Sequence, residues 1–428
     1  MKLTKQEKSW ILYDVGNSAF VLMISTVIPI YFKNIAQSSG ISAADSTAYW
    51  GYAVSIATAV IAFLGPFVGT MGDTKGYKKK FFGFFFLIGV LGCAMLAIPA
   101  AWIVFLTIFI IAKIGLSGSF IFYDAMLNDI TTDDRMDEIS SNGYAWGYIG
   151  SCIPFVMCMG LILTADQTGI GAQTATMVSF LITALWWLFS SVPLLKNYRQ
   201  LFYVEKSKFL IKECLERLSG TLKDIRGNMA VFTFLIAFFL YIDGVYTIIE
   251  MATSYGKDVG ISDNNLLLAL LLTQVVAFPF AILFGRLSKR FSTSILISVS
   301  IAGYFGISVF ALQLDKAWEF WFLAVCVAVF QGAVQALSRS YYAKIIPKEK
   351  SNEYFGFYDI FGKGAAFFGT IIMSVVTQLT GHSRNGVAAM AVLFVLGFVM
   401  FQIHLNRTGV KNISLQKEVG GEAGQAGQ

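Results

Sequence analysis

The segment Lys196–Arg226 reads KNYRQLFYVEKSKFLIKECLERLSGTLKDIR, and it is a long polar segment between two extended apolar regions. It carries eight lysines and arginines, which lie among apolar residues at helical spacing. The apolar positions are Ile211, Leu215, Leu218, Leu222 and Ile225. Intervals of three and four residues place them on one stripe of an amphipathic helix. We therefore predict that residues 196–228 form a basic amphipathic linker helix between two apolar halves.

Each region beside this linker contains six long apolar runs. The chain of 428 residues is 56% hydrophobic and 14% charged, whereas soluble domains carry about 25% charged residues. A membrane-spanning helix needs roughly 20 apolar residues, so the runs predict an all-α polytopic membrane protein with twelve transmembrane helices. The predicted spans are Trp10–Phe32, Thr47–Met71, Phe81–Pro99, Trp102–Ala125, Ile139–Leu163, Thr174–Leu195, Met229–Met251, Leu266–Leu287, Thr293–Leu314, Trp318–Tyr342, Phe355–Leu379 and Gly386–Leu405. They give an N-terminal six-helix half over residues 1–195, a C-terminal six-helix half over 229–405 and a disordered cytoplasmic tail over 406–428.

The distribution of lysine and arginine predicts the orientation of these spans. With the N-terminus inside, 26 of the 32 Lys and Arg residues fall in inside segments and four fall outside. Because cytoplasmic loops carry the excess of positive charge, both termini and the linker are predicted to be cytoplasmic. The short loops favour a multi-pass protein of the bacterial cytoplasmic membrane. The linker helix is expected to lie on the anionic inner leaflet, with docking to a partner as the alternative.

Several classes of site have no signal in the sequence. The five cysteines are scattered and the two histidines are far apart, so neither a disulfide framework nor a metal site is predicted. There is no GxxxxGK(S/T) nucleotide-binding loop and no catalytic motif. We therefore expect no cofactor, no enzymatic activity and no direct use of ATP. The cations sit in particular loops, so we expect no nucleic-acid partner, and we expect a monomer surrounded by membrane lipids.

A short motif follows the second apolar run. It reads Gly69-Thr-Met-Gly-Asp73-Thr-Lys75-Gly76-Tyr-Lys78-Lys79. This order of glycine, aspartate, glycine and basic residues resembles the loop signature of the major facilitator superfamily, whose transporters have two parallel repeats. Its glycines permit a tight turn, and its aspartate can pair with the end of a neighbouring helix. The equivalent loop after span eight lacks the aspartate.

Four further stretches resemble one branch of that superfamily. They are Trp10–Phe20 (WILYDVGNSAF), Gly143–Gly150 (GYAWGYIG), Tyr241–Val245 (YIDGV) and Gln331–Asp359, which contains QGAVQALSRS and FGFYD. The branch is the vacuole-effluxer-like one, which includes the autophagy-related vacuolar amino-acid effluxers and bacterial members. One departure is Val15-Gly16, where the branch usually has an aromatic and a small residue. The resemblance implies a transporter with amino-acid or peptide-like cargo, in which spans one, four, seven and ten line the cavity.

Ionisable residues inside apolar spans are energetically costly, so their default interpretation is functional. We predict two sets of site residues. The substrate-binding candidates are Lys113, Asp243, Thr247, Glu250, Gln331, Gln335 and Lys363. The gate or coupling candidates are Asp14, Asn17, Asp73, Asp124, Asp359 and Arg339.

Each of these predictions has a structural alternative. Asp14 and Asp124 lie near span ends, where they could be hydrated helix-end groups. Lys113 and Asp243 could form a buried pair that holds the two halves together. The two charges of span eleven are four residues apart and could form an intrahelical salt bridge, and the glutamines of span ten could bond across helices.

The combined expectation is a secondary active transporter that works by alternating access around a mid-membrane site. Lysines would hold a cargo carboxylate and acidic residues a cargo ammonium, so a zwitterionic amino acid or similar small solute fits best. Coupling to a proton or another ion is a natural addition. Two alternatives stay open: a major facilitator transporter of another cargo, such as an organic cation, sugar or haem-like anion, and a non-transporting membrane protein such as a lipid scramblase.

Overall fold

The structure is a computed structural model that describes residues 3–205, 211–258, 263–314, 316–380 and 382–408. Its secondary structure is helical apart from short connections and one isolated bridge between Thr74 and Val204. The helices before the linker, called the first set, are α1 (Lys5–Ser25), α2 (Val27–Ser38), α3 (Ala43–Gly72), α4 (Lys78–Met95), α5 (Trp102–Ala125), α6 (Leu127–Ile130), α7 (Met136–Leu163) and α8 (Ala172–Asn197). The linker contains α9 (Ile211–Gly227). The second set is α10 (Met229–Asp258), α11 (Asp263–Leu287), α12 (Thr293–Ala311), α13 (Ala317–Ile345), α14 (Ser351–Thr380) and α15 (Ser383–Arg407).

Local sequence signals mark where helices begin and where the chain turns. The hydroxyl of Thr4 accepts the backbone N–H of Glu7 at 3.2 Å, and the Glu7 carboxylate accepts the N–H of Thr4 at 2.7 Å. This capping box satisfies backbone donors at the start of α1. Between α3 and α4, Gly76 has a φ of 77°, which confirms the predicted tight turn because this backbone region favours glycine.

The predicted membrane protein is confirmed by helix length and composition. In the described ranges, ten helices are long and apolar enough to span a membrane. The first of them is continuous from Lys5 to Ser38 apart from a break at Thr26, where α1 ends. Helices α4 and α14 stand in the places of predicted spans three and eleven. Large apolar side chains such as Phe63 and Phe189 are exposed on the outside of the bundle, as expected for contact with lipid.

Helices pack mainly within their own set and touch the other set along a few lines. In the first set α1 packs against α7 and α8, and α4 packs against α5. In the second set α10 packs against α14 and α15, and α11 and α12 pack against α13. Across the sets, α3 packs on α14 and α7 packs on α11. These two cross-contacts bring the site residues of the two sets together.

Glycines permit the close approach of helices at the cross-contacts. A methyl group at Gly69 would lie 2.5 Å from the backbone oxygen of Asn352, and one at Gly356 would lie 2.8 Å from Cα of Pro66. Within the first set, a methyl at Gly147 would lie 2.7 Å from the hydroxyl oxygen of Ser18. These glycines therefore serve packing, because small residues let neighbouring helices approach closely.

In the described part of the linker, α9 is helical and the residues from Tyr198 to Glu205 are not. Thr221 and Ile225 of α9 are buried, Leu222 is 45% exposed, and the helix packs against α3, α10 and α14. The side chains of Ile211 and Leu215 lie outside the described part of the chain. The preceding segment Tyr198–Val204 is extended, and we call it the strap. We call the end of the bundle that holds the strap and α9 the linker face, and the opposite end the far face.

Candidate functional site

A buried arginine connects the two helix sets near the linker face. Arg339 of α13 is 3% exposed, and it contacts the carboxylates of Asp124 at 3.0 Å and Asp14 at 3.7 Å. Its guanidinium also donates to the hydroxyl and the backbone oxygen of Ser140, each at 3.0 Å. Because Asp14, Asp124 and Ser140 belong to the first set, these contacts hold α13 against α1, α5 and α7.

Aromatic rings enclose this guanidinium. Its central carbon lies 4.7 Å from the ring centre of Trp10 and 4.4 Å from that of Tyr144. Cations are attracted to ring faces at such distances. The amide of Asn17 donates to Asp14 at 3.3 Å, so it fixes the carboxylate from within its own helix. Asp14 is 7% exposed, so the geometry differs from that of a hydrated helix-end group.

A second connection lies at the α3–α4 turn. The Asp73 carboxylate accepts the backbone N–H of Asn352 at 2.9 Å, its side-chain amide at 2.7 Å, and the backbone N–H of Glu353 at 3.0 Å. These donors form the first turn of α14, where the helix dipole favours an anion. Burial raises the pKa of Asp73 to about 7, against the lowering effect of the nearby Lys78 ammonium and the two backbone N–H donors.

Further polar contacts cross between the sets at the linker face. The carboxylate of Asp137 contacts Lys344 at 2.7 Å and accepts the hydroxyls of Ser340 at 2.6 Å and Thr293 at 2.5 Å. Two outer ion pairs add to it: Lys348 with Asp133 at 2.7 Å, and Lys289 with Glu138 at 2.6 Å. We call the contacts of Arg339, Asp73 and Asp137 together with these ion pairs the linker-face gate. These contacts are all formed in this structure, an arrangement that we call closed.

A buried ion pair lies behind the gate. The Lys78 ammonium contacts Asp129 at 2.8 Å, and both side chains are fully buried. The same ammonium donates to the Ser351 hydroxyl at 3.0 Å, at the start of α14. Burying two charges is favourable only when their remaining hydrogen-bonding groups are satisfied. Lys78 therefore links the first set to the second beside Asp73.

The predicted substrate-binding charges lie farther from the linker face. Lys113 is partly buried on α5, and its charge acts on the carboxyl of Glu250 on α10. Asp243 is 1% exposed and accepts the backbone N–H of Gly369 at 2.7 Å and the hydroxyl of Thr247 at 3.5 Å. Lys113 and Glu250 therefore belong to different sets and interact electrostatically, while Asp243 and Thr247 contact α14.

The remaining candidates are dispersed. Gln331 is buried and Gln335 is partly buried on α13. Asp359 is partly buried on α14, where its charge acts on Asp124. The side chain of Lys363 lies outside the described part of the chain, so its predicted role stays a prediction.

The far-face half of the second set contains an apolar cavity of about 110 Å³. Helices α10 to α15 all contribute to its lining, and Gln331 is among its few polar residues. An engineered apolar cavity of about 150 Å³ stays dry and binds benzene, so a cavity of this size suits a compact apolar group.

Several residues of the gate and of the ion pair behind it were not among the sequence candidates. They are Lys78, Asp129, Asp133, Asp137, Glu138, Ser140, Lys289, Thr293, Ser340, Lys344, Lys348, Ser351 and Asn352. A signal was present, since the segment Asn128–Glu138 is rich in acidic residues while neighbouring linker-face loops are basic. Complementary loops on one side of a membrane predict ion pairs, although not which residue pairs with which.

Comparison with known proteins agrees with the fold. The chain matches the profile of the family described as "Vacuole effluxer Atg22 like" over residues 4–412. It is 46% identical over 404 residues to the Bacillus subtilis (strain 168) protein "Uncharacterized MFS-type transporter YxiO", covering 93% of this chain and 94% of the relative. It is 26% identical over 313 residues to Autophagy-related protein 22-1 of Aspergillus niger, covering 67% of this chain. It spans 50% of that fungal protein.

Solved structures support the same architecture. The human organic anion transporter MFSD10 (TETRAN) superposes with a TM-score of 0.71 at 14% identity, covering 94% of this chain and 100% of that chain. The major facilitator transporter FucP in the outward conformation superposes with a TM-score of 0.69 at 12% identity, covering 94% of this chain and 97% of that chain. At such identities the likeness concerns the fold alone. The family match, together with the bacterial relative, shows that this chain is a multi-pass transporter, not an enzyme, and that it belongs to the Atg22-like vacuole effluxer family of the major facilitator superfamily.

Proposed function

We propose that this transporter moves amino acids or similar small zwitterionic solutes by alternating access. The observation that carries the proposal is the presence of two opposite charges, Lys113 on α5 and Glu250 on α10, that interact electrostatically. Charges inside membrane spans are costly and are kept where they contact a pathway or each other. A solute with a carboxylate and an ammonium would compensate both charges at once.

The apolar cavity supports the same class of cargo. It is lined in part by Ile249 and Met251, the two neighbours of Glu250 along α10. A zwitterion held at Glu250 would therefore have an apolar space of about 110 Å³ nearby for its side chain. Gln331 is one of the polar residues that line that space. Sugars and multivalent anions lack this combination of two opposite charges and one apolar group.

The closed linker-face gate corresponds to one of the two states that alternating access requires. We propose that the linker face is cytoplasmic, as the lysine and arginine distribution predicts, and that the membrane is the bacterial cytoplasmic membrane. With that orientation the closed gate shuts the cytoplasmic side, and we propose that the far face is the side that admits cargo in this state. Opening the gate and closing the far face would complete a transport cycle in a single chain.

We also propose that a membrane-embedded carboxyl couples transport to protons. Asp243 is buried, and its hydrogen bonds come from an uncharged backbone N–H and a hydroxyl. Such a carboxyl gains or loses a proton according to whether its surroundings are dry or wet. Asp243→Asn fixes the neutral form, so it should abolish proton-driven accumulation while leaving cargo exchange at equal concentrations. Loss of both activities would assign Asp243 to cargo binding instead.

The test is binding and uptake with purified protein in liposomes. Amino acids, dipeptides, sugars, organic cations and organic anions are screened by thermal shift, and stabilising compounds are then offered as labelled cargo. We expect zwitterions to stabilise the protein, and Lys113→Ala and Glu250→Gln to remove most of that effect. Lys316→Ala is the matched control, since Lys316 is exposed at the far-face start of α13.

Three outcomes would contradict the proposal. Stabilisation by sugars or by singly charged ions alone would assign another cargo class to the same fold. Movement of labelled lipid between leaflets, without uptake of any solute, would assign a scramblase instead. If a zwitterion stabilised the parent protein, Lys113→Ala and Glu250→Gln equally, the cargo site would lie away from Lys113 and Glu250.

A further inference from the structure

The strap at the start of the linker joins the polar network behind the gate. We propose that Tyr198 and Gln200 are positioning residues that hold the linker-face gate closed by fixing the groups that grip α14. The inference concerns the gate rather than the cargo, so it stands or fails independently of the zwitterion proposal.

One edge of the strap is bound by Asp129. The Tyr198 hydroxyl donates to this carboxylate at 2.5 Å, and the backbone N–H groups of Leu201 and Phe202 donate to it at 2.9 Å each. With Lys78 at 2.8 Å, the buried carboxylate has four donors, of which the strap supplies three. Burial, and then the charge of Asp129, raise the pKa of Tyr198, so its phenol remains a donor at neutral pH.

The other edge of the strap is bound to the turn that carries Asp73. The N–H of Val204 donates to the backbone oxygen of Asp73 at 2.9 Å, and the N–H of Lys75 donates to Val204 at 3.2 Å. The side-chain oxygen of Gln200 accepts the N–H of Gly76 at 2.9 Å. The strap therefore fixes the backbone of this turn at both ends.

These two edges meet at the first turn of α14. Asp73 accepts backbone donors of that turn, and Lys78 donates to Ser351 at its start. The Asp73 turn and the Asp129–Lys78 pair are the two anchors of α14 in the first set, and the strap bonds to both. The strap itself reaches the second set where Lys348 lies 5.5 Å from the ring centre of Phe202.

A positioned group binds more strongly than a mobile one, because less conformational freedom is lost when the contact forms. The strap limits the motion of Asp73 and Lys78 whether or not α14 is in place. Releasing the strap therefore weakens the closed gate relative to the open gate. A hydrogen bond to a charged group corresponds to about one to two powers of ten in an equilibrium constant.

The experiment measures how often the gate opens. Ser141 is fully buried where α7 meets Gly285 of α11, and its hydroxyl makes no hydrogen bond within the described residues. The thiol introduced by Ser141→Cys therefore reacts with a water-soluble maleimide only when the gate opens. The rate follows the open population when opening is fast relative to labelling. The full-length protein without this substitution supplies the background from the native cysteines.

We expect Tyr198→Phe, which removes one hydroxyl, to raise the labelling rate about tenfold. Gln200→Leu, which keeps the side-chain size but loses the acceptor for Gly76, should act in the same direction. Tyr52→Phe is the matched control, because Tyr52 of α3 is 63% exposed and lies outside the strap and the Asp129 contact. The melting temperature is measured alongside, since a purely structural role would lower it without selective exposure of the thiol.

Unchanged labelling in both Tyr198→Phe and Gln200→Leu would overturn the proposal and leave the strap as a passive connection. Equal increases in Tyr198→Phe and Tyr52→Phe would also overturn it, because the effect would then be a general disturbance of the fold. If Tyr198→Phe is poorly folded, Gln200→Leu and its rescue by Gln200→Asn carry the same comparison. None of these readouts depends on knowing the cargo.

Discussion

Removing the cation of Arg339 should open the linker-face gate. The variant Arg339→Met keeps a long apolar stem but leaves the carboxylates of Asp14 and Asp124 buried without their cation. Breaking a buried ion pair by removing one partner costs about 3–5 kcal/mol. Since 1.4 kcal/mol is a factor of ten, the closed state should lose about 100-fold or more relative to the open state.

The assay is a distance measurement between two exposed loops of the linker face. Spin labels are attached at Asp134 of the first set and Glu349 of the second, in a background without the native cysteines. These positions flank the ion pair of Asp133 with Lys348, so they are close together while the gate is closed. In Arg339→Met the distance distribution should move to a longer population that is minor in the parent protein.

A triple variant separates charge from packing. With Asp14→Asn and Asp124→Asn added to Arg339→Met, no buried charge is left unpaired, and replacing a whole buried network is often close to neutral. The triple variant should therefore recover much of the short distance. A short distance in Arg339→Met alone, or an equally long distance in the single and triple variants, would refute the reasoning. A variant that does not fold is replaced by Asp124→Asn, for which a smaller opening is expected.

Three other perturbations test parts of the same structure. The closed gate raises the pKa of Asp73 to about 7, from an ordinary value of about 3.9 in water. The closed state is therefore favoured at low pH and loses this contribution as the pH rises through about 7. Spin-label distances should show more opening at pH 8 than at pH 5, and Asp73→Asn should remove that difference. Gly143→Ala would place a methyl 2.5 Å from the Asp14 carboxylate, so it should destabilise the closed gate by about 1–3 kcal/mol. Gly160→Ala on the same helix has open space around its methyl and should leave the labelling of Ser141→Cys unchanged. Gly369→Ala would collide with Asp243, so uptake into liposomes should fall sharply while gate labelling stays at the parent rate.

Much of the fold could be predicted from patterns that depend on neighbours along the chain. Apolar runs of span length and the glycine-rich turn after span two are local features, and the structure confirms both. The linker shows where this approach stops. Its apolar residues at helical spacing predict a helix that we place from Lys196 onwards, yet Leu201 and Phe202 donate their backbone N–H groups to Asp129, 72 and 73 residues earlier in the chain. No local pattern identifies a partner that far away.

The site divides in the same way. Asp14, Asp124 and Arg339 could be singled out because a charge in an apolar span requires an explanation. Their grouping around one guanidinium could not be predicted, since it depends on the crossing of α1, α5 and α13. Asp137 was missed for another reason: predicted span five begins at Ile139, so the sequence leaves Asp137 in a loop, where an acidic residue is ordinarily solvated. In the structure it belongs to the first turn of α7, and the packing of α7 on α11 and α13 makes it a buried acceptor.

The composition of the gate has a consequence for its speed. The contacts that seal the linker face through Arg339, Asp73 or Asp137 are hydrogen bonds, ion pairs and the contacts of the Arg339 guanidinium with aromatic rings. When such a contact parts, water takes the place of the lost partner at once, so the free energy of the separated groups is largely restored. In a seal made of apolar side chains, water could not replace the lost contacts, and opening would expose apolar surface to water at a cost in free energy. Water can therefore replace the contacts of a polar seal one at a time, which keeps the closed and open states of the transporter close in free energy.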